Sequence, residues 1–276
     1  MKDIPLPASR VVTTTSPASL RDYRLLEARY APRRGPLLAT AVGVALVAGT
    51  HALLPRMPRQ AIALMERAFH LEDMGGVLLA NDYLAVSLIA FLAGVSGLLG
   101  AIVGPREERQ LDLLLSKPVP ASDFLAARVW PVLLSALVAG AVMAIACGLA
   151  VAPQAGDGAS VTVGGAIGAS LALTALSVVQ LALLTPVFVR VADSFHALLI
   201  AFIVWFAPLL PTAAFLYRPD LFEGRHIMTS LTVMASLVWH DRAMTWLGPL
   251  ALVAALAVAA LSVRLAGVLL ERADGA

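Results

Sequence analysis

The residues with the clearest potential for chemistry are one serine set among small residues and one histidine. Gly94-Val95-Ser96-Gly97 lies inside an apolar run, where it could present a nucleophilic hydroxyl. Such a serine needs a neighbouring base, and we consider His196 as the candidate. His196 is expected at the membrane edge, whereas Ser96 is expected in mid-span. We therefore interpret Gly94–Gly97 as a packing face, with an intramembrane serine protease as the alternative.

Motifs for nucleotide or metal chemistry are missing from the sequence. No segment matches GxxxxGK[ST], and the chain has only two lysines, Lys2 and Lys117. Because the phosphate-binding loop needs that lysine, the chain is not expected to hydrolyse ATP. HExxH is also absent, and a single cysteine, Cys147, permits neither an intrachain disulfide nor a cysteine metal site. We predict no enzymatic activity and no cofactor.

The composition is that of an integral membrane protein. Hydrophobic residues make up 59% of the chain and charged residues 14%, whereas a soluble domain carries about 25% charged residues. The mean hydropathy is +0.85. So few charges cannot cover a surface in water. The formal net charge of +2 gives no reason to expect a nucleic-acid partner.

The apolar runs predict an all-α, polytopic membrane protein with six transmembrane helices. About 20 helical residues at 1.5 Å each cover roughly 30 Å, the thickness of one hydrocarbon core. The predicted spans are Leu37–Leu54, Leu84–Gly104, Val129–Val151, Val161–Val189, Ala197–Phe215 and Leu247–Leu270. The chain thus divides into an N-terminal segment, 1–36, and a six-helix membrane domain, 37–276.

Three shorter elements accompany these spans. After Ser16-Pro17, leucines and tyrosines alternate with arginines at helical spacing, which predicts an amphipathic helix in the membrane interface within 1–36. Apolar residues between 62 and 71 predict a short helix at the opposite surface. Ile227–Trp239 has no charge but is too short to cross. We therefore predict a re-entrant hairpin before the last span.

Small and polar residues are expected to hold the spans together. Small residues four apart allow helices to approach closely in lipid. The predicted packing positions are Gly100, Gly104, Gly140, Gly148, Gly164 and Gly168. Polar residues of the fourth span are expected to form hydrogen bonds between helices; they are Thr174, Ser177 and Gln180. Between the fourth and fifth spans, Arg190, Asp193 and His196 are expected to cap helices and anchor the interface.

Lysines and arginines set the predicted orientation. With a cytoplasmic N-terminus, the segments inside the cell hold more than twice as many of them as the segments outside, as the positive-inside rule requires. Six spans then return the C-terminus to the cytoplasm. The segment Pro105–Arg128 between the second and third spans, called the island from here on, is therefore predicted to be cytoplasmic.

The island is polar, rich in leucine and organised around a short helix. Glu107 and Glu108 place negative charge at its expected start, where the helix dipole favours it. Pro118 ends the predicted helix, and Ser122 is expected to cap the next one before the chain re-enters the membrane. Leu111, Leu114 and Leu115 form an apolar stripe, with Asp112, Ser116 and Lys117 off it. This pattern predicts an amphipathic docking helix over about residues 106–117.

The island also resembles the signature of the type-two ABC exporter permeases. Members of that family show a glutamate-rich start, then Gly-Thr-Leu-Glu-Leu-Leu-Leu, a small residue, a variable residue, and proline followed by valine or leucine. Leu111–Val119, which reads LDLLLSKPV, is similar to this pattern. Arg109 and Gln110 stand where the family usually has glycine and threonine. The layout of the whole chain is similar to that of the family, but the similarity is specific only over the island.

The resemblance implies a half-transporter in the cell (inner or plasma) membrane. Two permease subunits, expected to form a homodimer in contact with membrane lipid, would pair with two copies of a separate ABC ATPase subunit. The island would be the coupling helix, and its ATPase-coupling residues would be Glu107, Glu108, Leu111, Asp112, Leu114, Leu115, Lys117 and Pro118. The hairpin would form an outer gate with Ile227, Met228, Leu231, Met234, Leu237 and Trp239.

Two alternatives to a transporter remain open at the level of sequence. A membrane scaffold or assembly factor without transport would also have apolar spans, and an intramembrane serine protease would use Ser96. A protease has no need of a leucine-rich docking helix, so the island favours the permease. An ATPase encoded by the adjacent reading frame would separate the permease from the scaffold. The scarcity of charge in the spans favours a lipophilic or amphipathic cargo.

Overall fold

The computed structural model describes residues 34–53, 56–69, 74–108, 120–153, 162–208, 210 and 244–274. Within these ranges the chain is helical and contains no strand. The helices are α1 (Arg34–Leu53), α2 (Arg59–Phe69), α3 (Met74–Leu98), α4 (Gly104–Glu107), α5 (Ala121–Val151), α6 (Val163–Phe188), α7 (Ser194–Phe206) and α8 (Met244–Asp274). The predicted N-terminal amphipathic helix and the predicted hairpin at 227–239 lie outside the described residues.

Among the described residues, five helical segments are long and apolar enough to cross a membrane. They are Arg34–Leu53, Asn81–Glu107, Ser122–Val151, Val163–Phe188 and Met244–Glu271. The chain is therefore a multi-pass, membrane-embedded protein. The remaining predicted span, Ala197–Phe215, is described as the 13-residue helix α7 and a turn at 207–208. Thirteen residues cover about 20 Å, less than one hydrocarbon core, so a sixth span stays a prediction.

Helix α6 is the centre of the described bundle. It packs against α3, α5 and α8, and its Val178, Leu181 and Phe188 are fully buried in the main apolar cluster. Helix α1 lies at the edge of the bundle. Only 17% of its apolar stretch is buried, against 67% for the apolar stretch of the segment 81–107. The exposed apolar side chains of α1 are suited to contact with lipid.

Glycines let α6 and α8 approach at the level of the backbone. A Cβ atom at Gly168 would overlap the carbonyl of Met244, and one at Gly248 would overlap the carbonyl of Gly168. One turn earlier, a Cβ at Gly164 would lie 3.2 Å from the hydroxyl of Thr245. Since lipid offers no hydrophobic drive for helix association, such close packing is a main source of attraction between spans.

Side chains cap α6 and α7 at their N-termini. The hydroxyl of Thr162 accepts a hydrogen bond from the backbone N–H of Gly165 at 3.0 Å, and α6 begins there. The carboxylate of Asp193 accepts one from the N–H of His196 at 3.0 Å, and α7 begins there. The predicted capping role of Asp193 is confirmed.

The predicted cap at Ser122 is wrong. Helix α5 begins at Ala121 with Pro120 in the N-cap position and no side-chain cap. The carbonyl of Pro120 already accepts the N–H groups of Asp123 and Phe124, each at 3.0 Å. Because a proline can lead directly into a helix, α5 begins before Ser122 and needs no serine cap.

Two helices begin well before the apolar runs that predict their spans. Helix α3 starts at Met74 instead of Leu84, and α5 starts at Ala121 instead of Val129. At the start of α5, the guanidinium of Arg128 lies 4.8 Å from the centre of the Phe124 ring. Arg128 and Phe124 belong to a part of α5 that precedes the predicted span. The apolar run therefore indicates which residues lie in the membrane core, but it does not give the ends of the helix.

We expect Gly168→Ala to lower the stability of the bundle, because its methyl group would meet the backbone of α8, which cannot move aside. Overpacking of this kind costs roughly 1–3 kcal/mol. Thermal unfolding of the purified protein in detergent, followed by circular dichroism, measures the effect.

Gly49→Ala is the matched control, since a Cβ at Gly49 meets nothing within 4 Å among the described residues. Alanine should raise local helix stability there by up to about 1 kcal/mol. Equal melting temperatures for the Gly168 and Gly49 variants would contradict the packing account.

Candidate functional site

The first end of the island is tied to the turn between α6 and α7. The guanidinium of Arg106 donates a hydrogen bond to the carbonyl of Val189. The hydroxyl of Ser194 donates to the carboxylate of Glu107 at 2.6 Å. The first residues of the island and the start of α7 are thereby held together.

The structure changes the role of Glu107 in the island. The predicted docking helix starts at about 106, but Arg106 and Glu107 form the last turn of the preceding helix, and Glu108 lies in a turn. Glu107 therefore ends a helix, where the dipole disfavours a negative charge. The hydrogen bond from Ser194 offsets that cost.

A π-helical turn, Leu99–Val103, separates α3 from α4. The N–H of Gly104 reaches back five residues to the carbonyl of Leu99, so the backbone ladder changes register at this point. Pro105 follows in the first turn of α4, where its missing N–H is tolerated. Turns of this kind are rare and are frequent at functional sites.

The second end of the island is held from two sides. The guanidinium of Arg128 donates to the carbonyl of Ala101 in the π-helical turn at 3.4 Å. On the other side, a Cβ at Gly267 would lie 2.7 Å from the Cα of Ser122. The start of α5 is thus in contact with the segment before the island and with the end of α8.

The rest of the predicted site lies outside the described residues. Of the predicted coupling residues, only Glu107 and Glu108 are described. The predicted outer-gate residues all fall within 211–243, which the structure does not describe.

Beside the first end of the island, Asp193 and His196 form an exposed pair. The ring Nδ1 of His196 lies 2.6 Å from a carboxylate oxygen of Asp193, and 67% of the histidine side chain is exposed. The backbone N–H of His196, with its ring, lowers the pKa of Asp193 below its ordinary value. The capping contribution of Asp193 is therefore present at neutral pH and lost as the pH falls through that lowered pKa.

At the opposite end of the bundle, a buried ionisable pair joins α1 to α3. The ring Nε2 of His51 lies 2.8 Å from Oδ2 of Asp82, with side-chain exposures of 10% and 0%. Asn81 donates to the hydroxyl of Thr50 at 3.2 Å beside it. Within the described part of the chain, Oδ1 of Asp82 has no hydrogen-bond partner. A buried ionisable group between spans is costly, and such groups are usually kept for function.

Sequence reasoning missed this pair. The predicted second span began at Leu84, which left Asn81 and Asp82 outside the membrane, although both residues belong to the span Asn81–Glu107. The available signal was His51, a lone ionisable residue in the predicted first span. Its presence predicts a polar partner on a neighbouring helix, and the nearest acidic residue to the second span is Asp82.

Polar residues in mid-bundle connect α6 to α3 and α7. The hydroxyl of Ser177 is shared between the carbonyl of Ser87 in α3 at 3.2 Å and that of Leu173 in its own helix at 3.1 Å. The amide of Gln180 donates to the carbonyl of Val204 at 2.9 Å. The indole of Trp205 donates to the hydroxyl of Ser87 at 3.3 Å. The predicted bonds between helices are confirmed for Ser177 and Gln180.

Thr174, unlike these two residues, makes no hydrogen bond to another helix in the described part of the chain. Its hydroxyl donates to the carbonyl of Ser170 in its own helix at 2.9 Å. The same side chain fills the space where a Cβ of Gly140 would lie. Thr174 therefore contributes to contact between α5 and α6 through its shape and not through a hydrogen bond between helices.

The predicted packing glycines have different surroundings. Gly148 faces Ile167 of α6, while Gly164 and Gly168 face α8. At Gly100 the Cβ position meets nothing within 4 Å in the described chain, and at Gly104 it meets only the carbonyl of Leu99 in the π-helical turn. Close contacts that the sequence reasoning did not single out involve Gly43, Gly248 and Gly267.

The serine considered as a nucleophile lies in a packing face. Cβ atoms at Gly94 and Gly97 would overlap or crowd Leu181 and Val132, which confirms the interpretation of these glycines as packing residues. The hydroxyl of Ser96 donates to the carbonyl of Ala93 at 3.1 Å. The ring of His196 is bound to Asp193.

No family model, curated protein or solved structure matches the chain. In the described ranges, no three His, Cys, Asp or Glu side chains come together as metal ligands. The class of protein that the fold defines is an all-helical, multi-pass membrane protein.

We expect Asp82→Ala to destabilise the bundle strongly, because it leaves His51 without its buried partner. Removing one member of a buried pair lowers the melting temperature by on the order of 10 °C for a protein of this size. Thermal unfolding in detergent measures this change.

His196→Ala is the comparison, since it removes a member of the exposed pair. We expect it to lower the melting temperature by no more than about 4 °C. If Asp82→Ala and His196→Ala lowered the melting temperature equally, the buried pair would not be the stronger link.

Proposed function

We propose that the chain is the membrane permease subunit of an ATP-binding cassette transporter of the type-two exporter kind. It would move its cargo across the cell membrane with energy from ATP hydrolysis in a separate subunit. The observation that carries the proposal is the way both ends of the island are fastened to the helix bundle. The leucine pattern of the island and its resemblance to the family support the same function.

Through the contacts at its two ends, the island is connected to most of the helices of the bundle. Its first end contacts the turn between α6 and α7 through Arg106 and Glu107. Its second end contacts the π-helical turn through Arg128 and α8 through Ser122. A displacement of the island would therefore act on α6, α7 and α8 together, and packed helices respond by shifting as units.

The π-helical turn supplies a point where such a shift can be absorbed. Leu99–Val103 lies between the long helix α3 and the first end of the island. A π-turn can change to regular α-helix by a one-residue change of register, which alters the direction of the following turn. We propose that Gly100 and Gly104 serve this change, since their Cβ positions meet no neighbouring helix in the described chain.

The energy source would be a second polypeptide. The chain carries no nucleotide-binding loop, and the leucine stripe of the island would offer the apolar surface that an ATPase grips. Two ATPase copies and a second permease copy would complete the transporter, an assembly that rests on the resemblance. Membrane lipid would surround it.

The proposed orientation has both termini in the cytoplasm, and the membrane is the cell (inner or plasma) membrane. The excess of lysine and arginine on the side of the island supports it. The ends of α4 and α6 meet on that side through Arg106 and Val189, as alternating spans require. The hairpin 227–239 would then lie at the outer surface as part of a gate.

We expect Leu114→Asp with Leu115→Asp to abolish docking of the ATPase, because two charges would replace the centre of the apolar stripe. The measurement is the amount of ATPase that co-purifies with the tagged permease, together with ATP hydrolysis by the complex. A loss of at least about tenfold corresponds to removing a small apolar anchor.

Leu113→Asp is the matched control. At 100° per residue, Leu113 lies on the side of the predicted helix away from the stripe, so this variant should retain its ATPase. Co-purification of the ATPase with the double variant at the level of the unmodified chain would count against docking through the island. A chain that co-purifies with no ATPase at all would favour the scaffold alternative.

We expect a cysteine placed at Met234 to react with a membrane-impermeant maleimide added outside intact cells, because the hairpin is proposed to face the exterior. The native cysteine, Cys147, is buried, so the unmodified chain should give little labelling of its own. A cysteine placed at Ser116 in the island should react only after the cells are opened. The opposite pattern at the two positions would overturn the proposed orientation.

A further inference from the structure

A groove of about 620 Å³ lies between α5 and α8 at the end of the bundle that carries the island. Its lining includes the apolar side chains of Trp130, Leu134 and Val263. The end of the groove nearer the island, which we call the mouth, is lined by Ser122, Asp123 and Arg264. The volume falls within the usual range for small-molecule sites.

The position of Arg264 places this mouth at the membrane boundary. The residues 247–263 before it in α8 are uncharged and cover about 26 Å at 1.5 Å per residue. That length is slightly less than one hydrocarbon core of about 30 Å. Ser122 contacts Gly267, which lies about one helical turn after Arg264 and therefore nearer the membrane surface. The groove therefore runs from the interface into the core, with its polar groups at the interface.

The two charges at the mouth differ in their surroundings. Arg264 is exposed, and among the described residues no hydrogen bond or ion pair involves it. Asp123 lies in the first turn of α5 and takes part in another interaction, but a carboxylate can accept further hydrogen bonds. The mouth thus offers a cation at the depth of a lipid phosphate and an anion nearer the water.

The order of these groups matches a zwitterionic lipid with N–H donors. A phosphate fits the planar donors of arginine, an ammonium fits a carboxylate, and an acyl chain fits the apolar wall. Basic pockets between spans commonly hold lipid headgroups. Tryptophan near the interface suits the same boundary. A choline headgroup has the same charges but no N–H to donate to Asp123.

We propose that this groove binds one phosphatidylethanolamine molecule of the adjoining leaflet, with its phosphate on Arg264, its ammonium on Asp123 and an acyl chain along Trp130 and Leu134. The site does not depend on the ATPase or on the direction of transport. It requires only that α5 and α8 cross the membrane.

Native mass spectrometry of the full chain in detergent, titrated with dioleoyl-phosphatidylethanolamine, tests the site. We expect one tightly bound lipid, and binding about tenfold weaker for Arg264→Gln, since one charge-assisted contact is lost. Arg190→Gln is the matched control, because Arg190 is exposed at the same end and does not line the groove. Dioleoylglycerol, which lacks the phosphate, should bind no better to the unmodified chain than to Arg264→Gln.

The headgroup and the apolar wall are tested separately. Dioleoyl-phosphatidylcholine should bind more weakly than the ethanolamine lipid to the unmodified chain, and Asp123→Asn should reduce that difference. Ala260→Phe, which fills the apolar part of the groove, should weaken binding and serves if the Arg264 variant does not fold. Equal lipid binding by the unmodified chain, Arg264→Gln and Ala260→Phe would overturn the proposal, as would equal affinity for the two headgroups.

Discussion

Close contact at the backbone of α6 is the constraint on which the rest of the structure depends. In lipid the helices gain nothing from hiding apolar surface, so they must pack closely and satisfy each other's polar groups. Gly168 and Gly248 bring α6 against α8, and Gly140 brings α5 against it. The same helix carries Ser177 and Gln180, whose hydrogen bonds hold α3 and α7. A shift of α6 would disturb every helix in the core.

The two ends of the bundle are fastened in different ways. At the end that carries the island, the contacts of Arg106 and Glu107 are side-chain links to a turn and to the start of α7. At the other end, His51 and Asp82 form a buried pair that holds the peripheral helix α1. The exposed bond between Glu107 and Ser194 can rearrange at little cost, whereas breaking a buried pair is expensive. Contacts at the island end can therefore change more easily than the buried pair that joins α1 to α3 at the opposite end.

Local sequence signals predicted much of this fold, and tertiary pairing explains the remainder. Apolar runs found the five described membrane helices, and Asp193 was recognised as a cap because capping is local. The pair of His51 and Asp82 was missed because hydropathy places an aspartate outside a span unless its partner is known. The cap at Ser122 failed because Pro120 already starts the helix. The contact of Gly248 with Gly168 depends on how two distant helices meet, which spacing within one helix does not reveal.

The central claim is that the island docks a separate ATPase that drives the bundle. The most direct test places a photo-crosslinking amino acid at Leu115, irradiates intact cells and identifies the crosslinked protein by mass spectrometry. The account predicts one dominant adduct, with a protein that carries a GxxxxGK[ST] nucleotide-binding loop. A dominant adduct with a protein that lacks that loop, or crosslinks to lipid alone, would contradict the account.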